Sequence, residues 1–375
     1  MYGQEECPTV GAARIPALVS HLQGRRVGLA VNRTSVVGAQ QVHLLDTLWS
    51  LGVHVTKIYA PEHGFRGTEE AGAVVADTRD AKTGIPVVSL YGNSRKPSAA
   101  QLHDVDVIVF DMQDVGTRFY TYISTMHYLM EACAAEGKKF VVADRPNPND
   151  YVDGPVRRDG SRSFVGMHPI PVLHGLTVGE LARMINGEGW LDAGGKTCDL
   201  TVVTITGWKH GDVYRLPVIP SPNLPNDLAV RLYPSLCFFE GTSVSVGRGT
   251  YFPFQALGYP DEKAGTFVFT PESLPGFDSN PLHRGKRCYG VDLRQTAFCG
   301  GLSLRFVIDF YERLGRDGKA FFTRPQWFDL LAGTDALRRQ IVAGMTEDEI
   351  RASWQAELDG YKSMRKKYLL YDDNR

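Results

Sequence analysis

Residues 105–120 read Val-Asp-Val-Ile-Val-Phe-Asp-Met-Gln-Asp-Val-Gly-Thr-Arg-Phe-Tyr, a short apolar run that gives way to acids, an amide and an arginine. An apolar run of this length is typical of a buried strand. A long helical segment at 121–135 follows it, and a second apolar run lies at 140–143. A strand, a helix and another strand in this order predict a parallel βαβ unit.

The same alternation extends towards the N-terminus. Short apolar runs lie at 26–31, 55–60 and 86–91, and an amphipathic stretch at 42–51 has apolar residues at helical spacing. Buried strands that alternate with helices predict an α/β fold with a mostly parallel, Rossmann-like sheet and helices on both faces. The binding crevice of such a sheet lies outside the carboxyl ends of its strands.

The length of 375 residues predicts about two domains at roughly 150 residues each. The stretch 217–226 holds four prolines and cannot lie inside regular structure, so it is either an interdomain link or an extended wall of a site. Beyond it the chain has aromatic strand-like pieces at 267–269 and 288–293 and two aliphatic-rich helices. We therefore predict a first domain over residues 1–226 and a smaller α/β domain over residues 227–375.

Charge and composition exclude several classes of protein. The 41 basic and 42 acidic residues give a net charge of −1, so there is no overall field to attract nucleic acid. No apolar run approaches the ~18 residues of a membrane span, and residues 1–15 lack the pattern of a signal peptide. The six cysteines show no zinc-site spacing, which predicts free thiols, with one disulfide between Cys288 and Cys299 as the alternative.

Nucleotide-binding motifs are missing. The first strand-to-helix turn, at residues 31–35, is Val-Asn-Arg-Thr-Ser, and the chain contains neither a G-x-G-x-x-G fingerprint nor a P-loop. A G-x-S-x-G elbow of serine hydrolases is also missing. No nucleotide cofactor is expected, and an acid-rich crevice of this kind favours hydrolysis or sugar chemistry.

Three strand ends carry more polar side chains than a connecting loop needs, and parallel strands bring these ends to one edge of the sheet. The candidate residues that follow the strands at 55–60, 105–110 and 140–143 are, in order, Glu62, His63 and Arg66; Asp111, Gln113, Asp114, Arg118, Tyr120 and Tyr122; and Arg145 and Asn147.

These motifs, with others in the second half, identify a family. The chain resembles the exo-β-N-acetylmuramidases of the NamZ type, formerly a family of unknown function. The resemblance extends from about residue 26 to 371, and its motifs lie at 27–35, 61–67 (Pro-Glu-His-Gly-Phe-Arg-Gly), 111–122, 144–148 (Asp-Arg-Pro-Asn-Pro), 222–225 (Pro-Asn-Leu-Pro), 239–250 (Phe-Glu-Gly-Thr-Ser-Val-Ser-Val-Gly-Arg-Gly-Thr) and 367–371.

The resemblance implies a Rossmann-fold-like catalytic domain and a C-terminal α/β domain that closes the active-site cleft. It implies an exo-acting glycosidase that releases N-acetylmuramic acid from the non-reducing end of peptidoglycan fragments during cell-wall turnover. The expected partner is this sugar substrate, and neither a metal nor another cofactor is expected. Family members are typically exported, so a periplasmic or secreted location is expected, with a leader removed or preceding Met1.

The resemblance also suggests which residues are catalytic. Glycoside hydrolysis needs an acid that protonates the leaving oxygen, and Glu62 is the candidate, tuned by His63 and Arg66. The alternative is that Glu62 caps the following turn or pairs with Arg66. Asp111 and Asp114 are candidates for orienting water or holding the substrate's acetamide N–H. For Asp114 the alternative is a cap on a helix that begins near residue 116.

Muramic acid carries a lactyl carboxylate, which suits an arginine fork. Arg118, Arg145 and Arg248 are the candidates, and Arg145 ranks first because two prolines fix its loop. The alternative is that each arginine pairs with a structural carboxylate, that of Asp111, Asp144 or Glu240.

The remaining candidates would contact the sugar. Gln113 and Asn147 could recognise hydroxyls or the acetamide, although Asn147 could equally form an Asx turn. Tyr120 and Tyr122 cannot both be core residues of one helix face, so at least one is expected to line the cleft. His174 either borders the site or is a hydrogen-bonded loop histidine.

Two other classes of function compete with the glycosidase. One is a metal-dependent hydrolase with Glu62, His63, Asp111, Asp114 and His174 as ligands, although no recognised metal-ligand spacing is present. The other is a cell-wall-binding protein without catalysis. Chelation would abolish the activity of the first, and the second would bind muropeptides without turnover.

Overall fold

A computed structural model describes residues 8–61, 64–66, 78–92, 94–297 and 300–373. The strands in chain order are β1 (Val27–Val31), β2 (Val36–Val37), β3 (Val42–His43), β4 (Val55–Ala60), β5 (Thr78–Arg79), β6 (Pro86–Ser89), β7 (Val107–Asp111), β8 (Lys139–Ala143), β9 (Val152–Asp153), β10 (Leu173–His174), β11 (Asp199–Val203), β12 (Ala256–Tyr259), β13 (Phe267–Phe269) and β14 (Cys288–Asp292).

The α-helices are α1 (Ile15–Ser20), α2 (Leu44–Ser50), α3 (Ala99–Leu102), α4 (Tyr122–Glu136), α5 (Val178–Gly187), α6 (Asp227–Leu236), α7 (Arg305–Arg313), α8 (Gly318–Phe321), α9 (Pro325–Ala332), α10 (Ala336–Val342) and α11 (Glu347–Arg365). Three short 3₁₀-helices lie at Gly11–Ala13, Cys237–Gly241 and Glu262–Ala264.

The predicted α/β sheet is confirmed. Seven strands are arranged in the order β11-β8-β7-β1-β4-β6-β5, and all neighbours are parallel except β5, which is antiparallel to β6. The central strands β1 and β7 are buried along their whole length. In β7, Val107 and Val109 belong to the core on one face, whereas Ile108 and Phe110 belong to the core on the other. Because both faces are covered, these strands are continuously apolar.

The order of the strands determines where a ligand can approach. From β1 the chain passes to β4 and β6 on one side, and then returns to β7 on the opposite side of β1. The carboxyl ends of β1 and β7 therefore form a topological switch point, where sheets of this kind bind ligands. Asp111 is the last residue of β7, and β4, the strand that precedes Glu62, lies next to β1.

Local signals explain the helices on either side of this edge. Helix α4 connects β7 to β8 and ends at Glu136, and the next residue, Gly137, has the left-handed conformation that terminates a helix, with a φ of 62°. Helix α5 begins after Thr177, which forms a capping box with Glu180.

The C-terminal half contains a three-stranded antiparallel sheet, β12-β14-β13, beside helices α7 to α11. The sequence predicted two helices here, whereas the structure has more. Glycines in the left-handed conformation, such as Gly315 and Gly333, divide this helical region into short helices. Both halves share a core, since the ring of Phe119 packs against Tyr233 and Phe238 with centroids 5.4 and 5.8 Å apart.

Cys133, Cys198, Cys237 and Cys288 are free, buried thiols, as expected. Cys7 and Cys299 lie outside the described residues. In the part of the chain that the structure describes, no helix is both long and apolar enough to span a bilayer.

Candidate active site

A cavity of about 450 Å³ lies where the loop after β7 meets the C-terminal half of the chain. Its lining residues are Tyr91, Arg95, Phe119, Tyr120, Thr121, Tyr122, Ser163, Phe164, Val165, Ser221, Asn223, Leu224, Tyr233, Cys237, Glu240, Arg248, Phe254, Trp327 and Leu331. The volume is within the range of small-molecule sites, roughly 300 to 1,000 Å³.

Aromatic side chains form one wall of the cavity. The ring centroids of Tyr120 and Tyr122 are 4.8 Å apart, and that of Tyr233 is 6.0 Å from Tyr120. The hydroxyls of both Tyr120 and Tyr122 donate to the carbonyl oxygen of Pro220, at 3.1 and 3.4 Å respectively. Tyr120 precedes helix α4 and Tyr122 begins it, so the two side chains are not confined to one helix face. Both tyrosines therefore line the cavity.

The charged side chains of the cavity are few. Arg248 donates from Nε and Nη2 to Oε1 of Glu240, at 3.1 and 2.6 Å. Its guanidinium carbon also lies 5.3 Å from the ring centroid of Phe254. Burial lowers the pKa of Arg248, but the neighbouring Glu240 carboxylate outweighs this effect and raises it. Arg95 lies over the ring of Phe164 at 4.2 Å, and Glu240 is the one carboxylate among the described lining residues.

The acids that follow β7 do not line this cavity. Asp111 is fully buried and accepts hydrogen bonds from Nε and Nη2 of Arg145 at 2.5 and 3.0 Å. Asp114 accepts from the backbone N–H of Gly116 at 2.7 Å, and its Oδ2 is 3.7 Å from Nε2 of His174. The alternative of a helix cap at Asp114 is wrong, because helix α4 begins only at Tyr122.

Two of the three candidate arginines are buried and bonded to the protein, so their guanidinium groups are not accessible to a ligand. Arg145 is paired with Asp111, as one alternative proposed, so the rank given to it as a lactyl ligand is corrected. Arg118 has no exposed surface. It donates to three backbone carbonyls at 2.7 to 2.8 Å, those of Pro155, Ile170 and Leu331. Burial, with the charge of Arg157, lowers the pKa of Arg118 to about 9. Neither arginine reaches the cavity.

Three further candidates are buried in the scaffold. Gln113 donates to the carbonyls of Asp114 and Pro146 at 2.8 and 2.9 Å. Asn147 forms the alternative Asx turn, because its Oδ1 accepts from the N–H of Asn149 at 2.9 Å.

His174 is the third of these, and it is a buried loop histidine whose Nδ1 accepts from the N–H of Leu176 at 3.2 Å. None of the three lines the cavity. Their polar atoms hold the loops after β7, β8 and β10 together, which corrects the expectation that they contact the sugar.

The loop after β4 is described only in part. Glu62 and His63, the candidate acid and its neighbour, lie outside the described residues. Arg66 donates from Nε to Oδ1 of Asp80 at 3.0 Å and from Nη2 to Oδ1 of Asp46 at 3.4 Å. Asp80, through its pairing with Arg66, connects this loop to the turn before β6.

Several lining residues were not among the candidates. Asn223 stands in the proline-rich stretch, and three of its residues, Ser221, Asn223 and Leu224, form part of the cavity wall. The stretch is therefore a site wall, as one of the two alternatives proposed. Tyr233 and Trp327 come from helices α6 and α9, and no local sequence signal separates them from core aromatics.

Comparisons with known proteins agree over nearly the whole chain. The model of the exo-β-N-acetylmuramidase NamZ N-terminal domain matches residues 27–228, and that of its C-terminal domain matches residues 231–371. The peptidoglycan β-N-acetylmuramidase NamZ of Bacillus subtilis (strain 168) is 39% identical over 381 aligned residues, which cover 95% of this chain and 89% of the relative.

Two solved structures from Bacteroides fragilis NCTC 9343, both described as DUF1343 family proteins, share the fold. The first has a TM-score of 0.90 at 45% identity and covers 98% of this chain and 99% of its own. The second has a TM-score of 0.84 at 30% identity and covers 97% and 99%. The chain therefore belongs to the family of NamZ exo-β-N-acetylmuramidases.

Proposed function

We propose that this protein is an exo-acting glycosidase that releases N-acetylmuramic acid from the non-reducing end of peptidoglycan fragments. The observation that carries the proposal is a cavity in which an aromatic wall and the Glu240–Arg248 pair occur together, in a chain of this family. Aromatic rings suit the apolar face of a sugar ring, and an arginine suits the lactyl carboxylate of muramic acid.

Hydrolysis requires that the leaving oxygen be protonated as the glycosidic bond breaks. We assign this proton to Glu62, which in the sequence comes two residues after the end of β4. Water, or the substrate's own 2-acetamido oxygen, can then attack the anomeric carbon. Asp111 is engaged by Arg145 and Asp114 by a backbone N–H, so in this mechanism both acids hold the scaffold of the site.

Arg248 is the candidate that remains for the lactyl carboxylate. Its Nε and Nη2 bind Glu240, and within the described ranges Nη1 has no hydrogen-bond partner. Glu240 would thus orient the guanidinium while one N–H edge stays available to the substrate. Because Glu240 neutralises much of the charge, the recognition would depend on hydrogen-bond geometry more than on long-range attraction.

Two features of the wider organisation belong to the same proposal. We place the end of the catalytic domain near residue 226, where helix α6 begins and the C-terminal half starts to supply cavity residues. We also infer a periplasmic or secreted location, because the proposed substrate derives from the cell wall. Fractionation of the native host, with immunodetection of the protein, tests the location.

Turnover of matched substrates tests the activity. The protein should hydrolyse a chromogenic N-acetylmuramide much faster than the corresponding N-acetylglucosaminide. On peptidoglycan-derived oligosaccharides with a muramic acid terminus, it should release the monosaccharide and no internal fragments. Binding of these oligosaccharides without any turnover would instead identify a cell-wall-binding protein, and internal cleavage would contradict the exo mode.

A further inference from the structure

Asn223 carries a buried oxygen that lacks a partner. Its side chain is 3% exposed and lines the cavity. The amide nitrogen donates to the carbonyl of Phe277 at 3.1 Å, which fixes the orientation of the carboxamide. The oxygen, Oδ1, accepts no hydrogen bond from the described residues. Buried acceptors in folded proteins are nearly always satisfied, so this atom calls for a partner that enters the cavity.

The segment around Asn223 is held rigidly. The N–H of Asn223 donates to Oγ of Ser221 at 3.1 Å, and the N–H of Leu224 donates to the carbonyl of Ser221 at 3.0 Å. The carbonyl of Pro220, one residue earlier, accepts from the hydroxyls of Tyr120 and Tyr122. The Asn223 oxygen is therefore positioned before any ligand arrives, which lowers the entropy lost on binding.

The chemistry of the partner follows from the chemistry of the atom. A carboxamide oxygen only accepts, so its partner must donate. A 2-acetamido sugar carries one N–H that can only donate, and its methyl group needs apolar surroundings. Leu224, which is adjacent in the chain, lines the same cavity. We propose, on the basis of the function proposed above, that Asn223 is a specificity-determining residue whose Oδ1 accepts the N–H of the 2-acetamido group.

A second unpartnered atom fits a ligand with both donors and acceptors. Trp327 lines the cavity, and its Nε1–H, which can only donate, is buried and has no hydrogen-bond partner in the described part of the chain. Among the described lining residues, Asn223 thus offers an unsatisfied acceptor and Trp327 an unsatisfied donor, and the buried hydroxyl of Ser163, which can do both, is also without a partner. This is the pattern expected of a wall built to bind a polar ligand such as an N-acetylated sugar.

Equilibrium binding tests the role of Asn223 independently of catalysis. The two ligands are N-acetylmuramic acid and 3-O-lactyl-2-deoxyglucose, which has hydrogen in place of the acetamido group and therefore no donor at C2, and Kd is measured by calorimetry. Asn223→Ala should raise the Kd of N-acetylmuramic acid roughly 10- to 100-fold, because the acetamido N–H loses its buried acceptor. It should change the Kd of 3-O-lactyl-2-deoxyglucose less than about threefold. An equal loss for both ligands, or no loss for either, would overturn the assignment.

Two further variants separate recognition from folding. Asn186→Ala removes an amide that lies off the cavity and is fully paired with the backbone of Cys198, so it should lower the melting temperature and leave the ratio of the two Kd values unchanged. Asn223→Asp keeps an acceptor but loses the bond to Phe277. Both ligands carry the lactyl carboxylate, so the added charge affects them alike, and the preference for the acetamido ligand should persist. Loss of that preference in Asn223→Asp would count against the proposal.

The wild-type protein distinguishes the two levels of inference. If it hydrolyses the N-acetylmuramide but Asn223→Ala keeps the full preference for the acetamido ligand, only the role of Asn223 fails. If the wild type neither binds nor hydrolyses the muramide, the proposed function fails and this assignment fails with it.

Discussion

Arg145 donates from Nε and Nη2 to the two carboxylate oxygens of Asp111, and neither side chain is more than 2% exposed. The pair joins the end of β7 to the loop after β8. Removing one partner leaves a buried charge uncompensated, which costs about 3 to 5 kcal/mol. Arg145→Ala should therefore lower the free energy of unfolding by about this amount, as measured by urea denaturation.

The double variant Asp111→Leu/Arg145→Met provides the control for this prediction. Replacing both charges with apolar side chains of similar volume is often nearly neutral, so the double variant should recover much of the lost stability. An Arg145→Ala protein of wild-type stability that no longer prefers the muramide would instead restore Arg145 as a lactyl ligand.

This pair also shows what the sequence can and cannot predict. The strands were predictable because both faces of β1 and β7 are covered, which makes each strand continuously apolar. The polar residues after those strands were predictable as a group. Which of them point into a cavity depends on partners that are distant in the chain, and Arg118 finds one acceptor at Leu331. Spacing alone cannot reveal such a partner.

The cavity wall shows the same limit from the other side. Asn223 and Glu240 stand in motifs that the sequence made conspicuous, but only the fold shows that both line one cavity. Tyr233 and Trp327 belong to helices with ordinary apolar patterns. Tyr233 and Trp327 line the cavity because α6 and α9 pack against the loop after β7. No property of the two residues themselves predicts this position.

Glu62→Gln should abolish nearly all activity. The amide resembles the acid in shape but cannot donate a proton, and general acid catalysis contributes about 10² to 10⁴-fold. The variant should thus lose that much kcat/KM on a natural disaccharide. A dinitrophenyl leaving group needs little protonation, so with that substrate the defect should be much smaller. Activity within about threefold of wild type on the disaccharide would remove Glu62 as the general acid.

The activity should not require a metal ion. In the part of the chain that the structure describes, no three His, Cys, Asp or Glu side chains come together as a metal site, and Asp111 is already engaged by Arg145. Dialysis against EDTA should leave kcat unchanged, whereas recovery only after addition of zinc, manganese or magnesium would favour the metal-dependent alternative. Glu62→Gln, assayed in parallel, gives the reference rate in the absence of general acid catalysis.

Arg248→Ala should reduce the preference for the muramide. Loss of a buried charge-assisted hydrogen bond, about 1.5 to 3 kcal/mol, corresponds to a decrease in kcat/KM of roughly 10- to 150-fold. The glucosaminide lacks the lactyl group and should lose little. Arg248→Lys keeps the charge but not the guanidinium fork, and it should recover only part of the preference. An unchanged preference would instead favour Arg95, which is also a cation among the described lining residues, as the lactyl ligand.

His210 should make the stability of the protein depend on pH. Its Nδ1 is 3.0 Å from Oδ1 of Asp150 and its Nε2 is 3.0 Å from Oε1 of Glu180. Burial opposes the charged ring, and Arg365 lies 3.4 Å from Nδ1, yet the bonds to both carboxylates prevail and raise the pKa of His210 to about 9. The backbone N–H of His210 also donates to the carbonyl of Asp372, which attaches the C-terminal segment.

The sign of the effect follows from the direction of this pKa shift. Because the folded-state pKa lies above the ordinary value of about 6.5, the stabilisation is complete below pH 6.5 and is lost as the pH rises through about 9. The melting temperature should therefore fall between pH 7 and 9.5. His210→Gln, which cannot become charged, should be less stable at pH 6.5 and show a smaller decline over that range. Equal declines in the two proteins would show that folding does not raise the pKa of His210.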